Sequence, residues 1–165
     1  MAEAMAENGP VVSYRTRVPR DWVDYNGHLN VGYYMIAFDK ATDGFADRLG
    51  IGEAYMKTTG NSFYVVEAHL CFEREVMQDA PIRIETLLLD VDDKRAHFCH
   101  RMIEETNGFV AATSEMLILH VNLATRRAAV FPPEPARTIA ALAERQRTGA
   151  RWPQLGRTVA LKRRS

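Results

Sequence analysis

One long amphipathic helix followed by four strand-length segments is the pattern that most restricts how this chain folds. After residue 30, apolar side chains recur at steps of three and four, the spacing that places them on one face of an α-helix. The run ends at Leu49, and Gly50 is a typical residue to stop a helix. The apolar positions are Tyr34, Ala37, Phe38, Ala41, Phe45 and Leu49.

Five segments carry the sequence signals of β-strands, one before the helix and four after it. They span residues 11–18, 63–74, 81–91, 95–105 and 109–123. Turn residues separate the last three, with Asp92-Asp93 in one gap and Asn107-Gly108, which suits a tight hairpin, in the other. Hairpins make neighbouring strands antiparallel, and one face of such a sheet needs a cover. We therefore predict an α+β fold, an antiparallel five-stranded sheet wrapped around one long central helix.

The length of 165 residues fits a single domain that buries its own core without disulfides or metals. We predict a disordered N-terminus over residues 1–10, a folded domain over 11–135 and a C-terminal helix and basic tail over 136–165. A proline-rich stretch precedes that second helix, which we place at 136–147. The two cysteines, Cys71 and Cys99, lie in strand-like segments and are expected to be free thiols.

Composition and charge exclude several classes of protein. The hydrophobic share of 47% is that of a globular protein, and the net charge of zero argues against nucleic acid as a partner. We find no apolar run that could span a membrane and no secretory leader, so we expect a cytoplasmic protein. Basic side chains near the C-terminus are expected to be solvated, to contact a neighbouring subunit or, less often, to bind a phosphorylated ligand. They are Arg145, Arg147, Arg151, Arg157, Lys162, Arg163 and Arg164.

Residues 24–30 form the stretch in which we expect chemistry. The sequence Asp-Tyr-Asn-Gly-His-Leu-Asn places a carboxylate, an Asn-Gly turn, an imidazole and a second amide directly before the long helix. Backbone N–H groups stand free at a helix start, so this arrangement can hold a carboxylate beside an oxyanion. A plain capping role for Asp24 is the alternative. We predict no metal site, because His97 and His100 are three apart in a strand and point to opposite faces.

This order of elements and the motif at the helix entrance resemble the hot-dog fold acyl-CoA thioesterases of the 4-hydroxybenzoyl-CoA thioesterase-like group. The resemblance covers about residues 11–135, with Asp24, Gly27 and Tyr34 on the family's acid, turn glycine and first aromatic residue of the central helix. Within that group, the chain is most similar to the betainyl-CoA thioesterases of carnitine breakdown. The strings that carry this closer similarity are residues 24–30, Glu67-x-His69-Leu70, Lys94-Arg95-x-His97 and Leu119-His120-Val121-Asn122.

The resemblance implies hydrolysis of an acyl-CoA thioester without a cofactor or a Ser/His/Asp triad. Asp24 would act as a general base on water or as a nucleophile that forms a mixed anhydride. The backbone N–H near Val31, at the helix start, would polarise the thioester oxygen. Asn26, His28 and Asn30 would orient the water, the aspartate or the acyl group, and the roles of these three are not assigned individually.

Four aromatic residues surround the motif: Trp22, Tyr25, Tyr33 and Tyr34. Aromatic faces attract quaternary ammonium groups, and each such contact contributes roughly 0.5 to 2 kcal/mol. A betaine headgroup would therefore suit this cluster, and packing of the same residues into the helix core and the loop is the alternative.

Sites in the hot-dog family usually lie between subunits, so we expect a homodimer or a tetramer of dimers. Glu67 or His69 from a partner chain would then join Asp24; ion pairing or solvation of Glu67 is the alternative. Basic side chains would meet the coenzyme A phosphates. Candidates besides the tail are Lys94, Arg95, Arg126 and Arg127.

Two other classes remain open beside hydrolysis of a small acyl-CoA such as betainyl-CoA. One is a hot-dog hydratase or dehydratase acting on enoyl thioesters, and the other is a non-catalytic acyl-CoA binding module. Release of free thiol from a saturated acyl-CoA distinguishes the hydrolase from both.

Overall fold

The computed structural model describes residues 9–149 and 151–161, so most of the predicted disordered N-terminus lies outside the described residues. Within these residues, three α-helices, six strands and one 3-10 helix follow one another. The strands are β1 (Val11–Arg17), β2 (Asn61–Phe72), β3 (Pro81–Val91), β4 (Arg95–Glu104), β5 (Phe109–Asn122) and β6 (Arg127–Ala128). The helices are the 3-10 helix (Arg20–Trp22), α1 (Val31–Leu49), α2 (Glu53–Thr59) and α3 (Pro133–Gln146).

The strands form one antiparallel sheet in the order β1-β3-β4-β5-β2. The predicted five strands and their antiparallel arrangement are confirmed. The count was one too low, because β6 adds two residues beside the end of β5. A two-residue strand is too short for any alternation to appear in the sequence. Arg126, with a φ of 54°, turns the chain between these two strands.

Helix α1 packs its apolar stripe on the concave face of the sheet, as the sequence predicts. The stripe from Tyr34 to Leu49 is buried, and Phe45 packs against Phe98 of β4. The Asn30 side chain caps the helix start, and Gly50, with a φ of 75°, ends the helix in the left-handed conformation. The sheet therefore wraps around this one helix.

A buried polar chain joins α1 to the sheet beneath it. The His100 ring lies 2.8 Å from Thr86 Oγ1 through Nδ1 and 2.9 Å from Thr42 Oγ1 through Nε2. Ser13 of β1 hydrogen-bonds to Thr86, which extends the chain to the edge strand. Burial lowers the pKa of His100 to about 3, so the ring is neutral in the folded protein.

The predicted boundary at residue 135 falls inside the C-terminal helix α3. It starts at Pro133, and its Ile139 and Leu142 belong to the same core as α1. The Gln146 side chain accepts a hydrogen bond from Leu88 N–H and donates one to the Gly9 carbonyl. A local helix pattern shows an apolar face but not which core that face joins.

Both cysteines are free, as predicted. Cys99 is buried on the outer face of the sheet, and burial raises the pKa of its thiol to about 12. This thiol is therefore protonated at neutral pH, which fits a packing role.

Candidate active site

A tight loop places Asp24 in front of the N-terminus of α1. The Asp24 N–H donates to the His28 carbonyl at 3.1 Å, and the Gly27 N–H donates to the Asp24 carbonyl at 3.0 Å. Gly27 has a φ of 86°, a conformation that glycine adopts without steric cost. The Asn-Gly pair thus closes a turn that holds residues 24 and 28 side by side.

The Asp24 carboxylate is held by its own loop and remains partly accessible. Its Oδ1 accepts a hydrogen bond from the Asn26 backbone N–H at 2.8 Å, and only 17% of the side chain is exposed. His28 Nδ1 lies 4.0 Å from the same oxygen. Asn26 therefore orients Asp24 through its main chain, while His28 is the ring beside the carboxylate.

The start of α1 supplies hydrogen-bond donors next to this carboxylate. The Asn30 Oδ1 accepts from the Gly32 N–H at 3.0 Å, so the Asn30 side chain is a helix cap. Val31 is the first residue of the helix, and the first N–H groups of a helix have no acceptor within it. An oxyanion placed here would meet the positive end of the helix dipole.

An open cleft of about 340 Å³ lies between this loop and the end of β2. The structure brings Asp24, His28, Asn30 and Val31 together in it, as the motif predicts. Tyr34 forms part of its lining, and burial raises the pKa of the Tyr34 hydroxyl, so this group stays protonated. The full lining is Asp24, His28, Leu29, Asn30, Val31, Tyr34, Phe72, Glu73, Arg74 and Glu75.

Phe72 is a lining residue that the sequence analysis did not single out. Its ring packs edge-on against Tyr34, with the centroids 5.2 Å apart, yet the residue is 50% exposed. The alternation along 63–74 places Phe72 on the apolar side of its strand, which predicts core packing. The feature that identifies Phe72 as a lining residue is its exposure at the end of β2, and this exposure is known only from the folded structure.

Three of the four predicted aromatic contacts lie outside the cleft. Trp22 stacks on Tyr33 with ring centroids 5.7 Å apart, and neither residue lines the cleft. Tyr25 is 98% exposed at the tip of the loop. Tyr34 alone of the four lines the cleft, because only its position on α1 faces the end of β2. Among the residues that the structure describes, the aromatic lining of the cleft is therefore Tyr34 and Phe72, and not the cluster of four that the sequence predicts.

Glu67 and His69 are not near Asp24 within one chain. They pair with Leu117 and Glu115 on β5, while the intervening Ala68 pairs with Met116, which is buried beneath α1. Alternation therefore places both side chains on the outer face of the sheet. They line a separate cavity of about 520 Å³ together with the His97–Glu115 pair, whose Nε2–Oε1 distance is 2.8 Å.

The cleft carries an excess of negative charge. Three carboxylates line it, those of Asp24, Glu73 and Glu75, against the single guanidinium of Arg74. The Arg74 guanidinium lies 4.0 Å from the centroid of the Phe109 ring. Among residues 9–149 and 151–161, no group of three or more His, Cys, Asp or Glu side chains is arranged to hold a metal ion.

The chain belongs to the thioesterase-like superfamily, whose family model matches residues 18–142. This match defines the class of protein that the antiparallel sheet, the central helix and the loop before it suggest. The predicted enzyme class, a thioester hydrolase, and the family resemblance are thereby confirmed.

Two similar proteins are both named as betainyl-CoA thioesterases. The chain is 36% identical to the betainyl-CoA thioesterase of Pseudomonas aeruginosa over 151 residues, which cover 92% of this chain and 95% of that protein. It is also 36% identical to the L-carnitine dehydrogenase/betainyl-CoA thioesterase of Ruegeria pomeroyi, where the match covers 88% of this chain and 29% of the longer protein.

Solved structures agree with this assignment. A putative thioesterase of Pseudomonas putida KT2440 is 33% identical and superposes with a TM-score of 0.80 over 94% of this chain and 99% of its own. A hypothetical protein of Staphylococcus aureus, solved in complex with CoA, superposes with a TM-score of 0.85 over the same shares of the two chains. At 23% identity, that second likeness concerns the fold alone. The predicted hot-dog fold is confirmed.

Within the described part of the chain, no helix combines the length and apolar character needed to cross a membrane.

Proposed function

We propose that this protein is an acyl-CoA thioesterase in which Asp24 is the catalytic carboxylate. The observation that carries the proposal is the position of Asp24 in an open cleft beside the first turn of α1. A carboxylate can activate water or attack the carbonyl carbon, and free N–H donors can stabilise the oxyanion that forms, so the two groups together can hydrolyse a thioester.

The reaction begins with the thioester oxygen at the α1 N-terminus. Negative charge develops on that oxygen during attack, and the Val31 N–H stabilises it; one such donor contributes about 3 kcal/mol. Asp24 either removes a proton from the attacking water or attacks the carbonyl carbon itself to form a mixed anhydride, which water then hydrolyses. In both routes the C–S bond breaks, the thiolate of coenzyme A takes up a proton, and the free acid leaves.

His28 and Asn26 support this chemistry through Asp24. The Asn26 N–H fixes one carboxylate oxygen, which leaves the other available to water or substrate. His28, at 4.0 Å from the same oxygen, is placed to orient the carboxylate or the water. Asn30 acts less directly, because its side chain caps the helix whose N-terminus receives the oxyanion.

The acyl group that we propose first is betaine. Both relatives described above are named for betainyl-CoA, and the half-exposed Phe72 presents aromatic surface beside the carboxylates that line the cleft. Aromatic faces and negative charge both favour a quaternary ammonium group. An aromatic or short to medium acyl chain is the alternative.

Replacing the quaternary nitrogen by carbon tests the betaine assignment. Betainyl-CoA and 3,3-dimethylbutanoyl-CoA have nearly the same shape, so a comparison of their kcat/KM values isolates the charge. We expect betainyl-CoA to be preferred by about tenfold or more, the effect of one or two cation–π contacts. Equal values would refute the assignment to betaine.

We further propose that the active protein is at least a homodimer, paired through the free edge of β2. Within the described residues, β2 pairs with β5 on one side only, and its 12 residues leave Tyr64 at 48% and Val66 at 51% exposure. A long apolar edge strand is a template for another strand. The dimer and the larger tetramer of dimers are distinguished by light scattering.

Such pairing would also bring charge to the cleft. Two antiparallel copies of β2 would place the start of the partner strand beside the end of this one, where the cleft lies. The turns carrying Lys94, Arg95, Arg126 and Arg127 lie at the β2 start, since Asn61 pairs with Asn122. These basic side chains would then reach coenzyme A from the second subunit.

Asp24→Asn tests the catalytic assignment, with Asp21→Asn as the matched control. Asp21 is an exposed carboxylate in the neighbouring 3-10 helix and does not line the cleft. With a panel of acyl-CoA substrates and a thiol-reactive dye, we expect Asp24→Asn to lose at least about 100-fold in kcat, and Asp21→Asn to match wild type.

Unchanged hydrolysis by Asp24→Asn would show that another group carries out the reaction. Absence of thiol release by wild type, with coenzyme A still bound, would favour the non-catalytic module. Hydration of an enoyl-CoA without thiol release would favour the hydratase.

A further inference from the structure

The C-terminal segment, residues 151–161, contacts the outer face of the sheet through residues 152–156. Trp152 is only 6% exposed and packs against Leu87 and Cys99. The Arg101 guanidinium covers its ring at 4.4 Å from the centroid. Further along, the Gly156 N–H donates to Glu115 Oε2 at 2.7 Å. These contacts at Trp152 and Gly156 fix the segment to the sheet.

The next contact connects this segment to the cleft. Arg157 Nη1 donates to Glu73 Oε1 at 2.9 Å, and Gln154 Nε2 donates to the same oxygen at 3.4 Å. Glu73 is one of the residues that line the cleft with Asp24. The Arg157 and Glu73 side chains are 43% and 33% exposed, so both charges act on molecules that approach from solvent.

The carboxylates that line the cleft have the same sign of charge as the coenzyme A phosphates. Glu73 and Glu75 flank Arg74 at the end of β2, and Asp24 lies opposite them. Coenzyme A carries several negative phosphate charges, and a cleft of about 340 Å³ is too small to enclose it, so its arm must leave across the rim. An unpaired Glu73 carboxylate would repel that arm.

We propose that Arg157 is a positioning residue for coenzyme A, acting through Glu73. By holding the Glu73 carboxylate against the outer face, it compensates one negative charge at the rim and keeps that side chain clear of the thioester path. The C-terminal segment is thereby part of the substrate site. This inference rests on the proposed function, because it concerns binding of the same substrate to the same cleft.

The test measures coenzyme A binding by calorimetry together with thiol release for wild type, Arg157→Gln, Arg157→Lys and the double variant Arg157→Gln/Glu73→Gln. Arg151→Gln is the matched control, since Arg151 is exposed in the same segment and does not line the cleft. Urea unfolding of each variant checks that the fold is retained.

We expect Arg157→Gln to raise both the Kd for coenzyme A and KM by about fivefold, the size of an exposed ion-pair effect, with kcat unchanged. The double variant should return the Kd for coenzyme A to the wild-type value, because the released carboxylate is gone, and Arg157→Lys should retain both wild-type values. Arg151→Gln should match wild type.

Two results would overturn the proposal. One is an unchanged Kd in Arg157→Gln. The other is a raised Kd that persists in the double variant, because Arg157 would then contact coenzyme A or act through the fold rather than through Glu73. A wild-type protein that binds coenzyme A but releases no thiol would refute the proposed hydrolysis, and the Kd comparison would still decide the role of Arg157.

Discussion

The buried His100 ring should make the fold sensitive to acid. The ring is fully buried between the hydroxyls of Thr42 and Thr86, and the Phe38 and Phe98 rings lie 5.9 Å and 5.0 Å from it. Burial lowers its pKa to about 3, whereas an unfolded histidine titrates near 6.5. Between these two pH values the unfolded chain binds a proton at this ring and the folded protein does not. The contribution of His100 to the free energy of unfolding is therefore fully present above pH 6.5 and is lost as the pH falls below it.

The size of this loss follows from the two pKa values. Each pH unit below 6.5 costs about 1.4 kcal/mol, so the His100 contribution to the loss at pH 5.0 is about 2 kcal/mol. The assay is urea unfolding at pH 7.5 and pH 5.0, followed by tryptophan fluorescence. Other titrating groups also contribute, and they cancel when the wild type is compared with a variant that differs only at this ring.

His100→Gln is that variant, because its amide retains one donor and one acceptor for the two threonines. We expect the free energy of unfolding of the wild type to fall by about 2 kcal/mol more than that of the variant between the two pH values. An equal fall in both proteins would refute the reasoning. So would a His100 NMR signal that titrates between pH 7.5 and pH 5.0 in the folded protein.

Three further predictions concern single contacts, each measured by urea unfolding at neutral pH. Gln146→Leu should cost about 1 to 3 kcal/mol, because the buried Leu88 N–H loses its acceptor; a smaller change would mean that another group replaces it. Gly44→Ala should cost about 1 to 3 kcal/mol, since a Cβ there would overlap the Ser13 carbonyl oxygen, and wild-type stability would contradict that contact. Asn30→Ala should cost about 1 kcal/mol through loss of the α1 cap, with Asn30→Asp retaining most of it.

The sequence predicted the main elements accurately because their patterns are local. Strand β3 was predicted at its observed bounds, and the other four long strands within two residues of theirs. Periodicity of two or 3.6 residues fixes which side chains share a face, and Gly50 and the Asn-Gly pair fix where the chain turns. Helix α3 began three residues earlier than predicted, since Pro133 is tolerated in the first turn of a helix.

The candidate site was predicted in part for the same reason. Asp24, His28, Asn30 and Val31 are close in sequence, so one turn suffices to bring them together. The sequence could not show which of the aromatic residues line the cleft. Tyr33 and Tyr34 are neighbours on α1, yet one stacks on Trp22 and the other faces Phe72, 38 residues further along the chain.

The sequence alone thus determined the turn at residues 24–30 and the order of helix and strands, because turn chemistry and periodicity act over a few residues. Tertiary structure decided that Phe72 joins the cleft, that Glu67 and His69 lie on the other face of the sheet, and that Arg157 reaches Glu73. Those placements depend on which strand forms the free edge and where distant segments cross the sheet. Both follow from the packing of the whole chain around α1, which no local pattern contains.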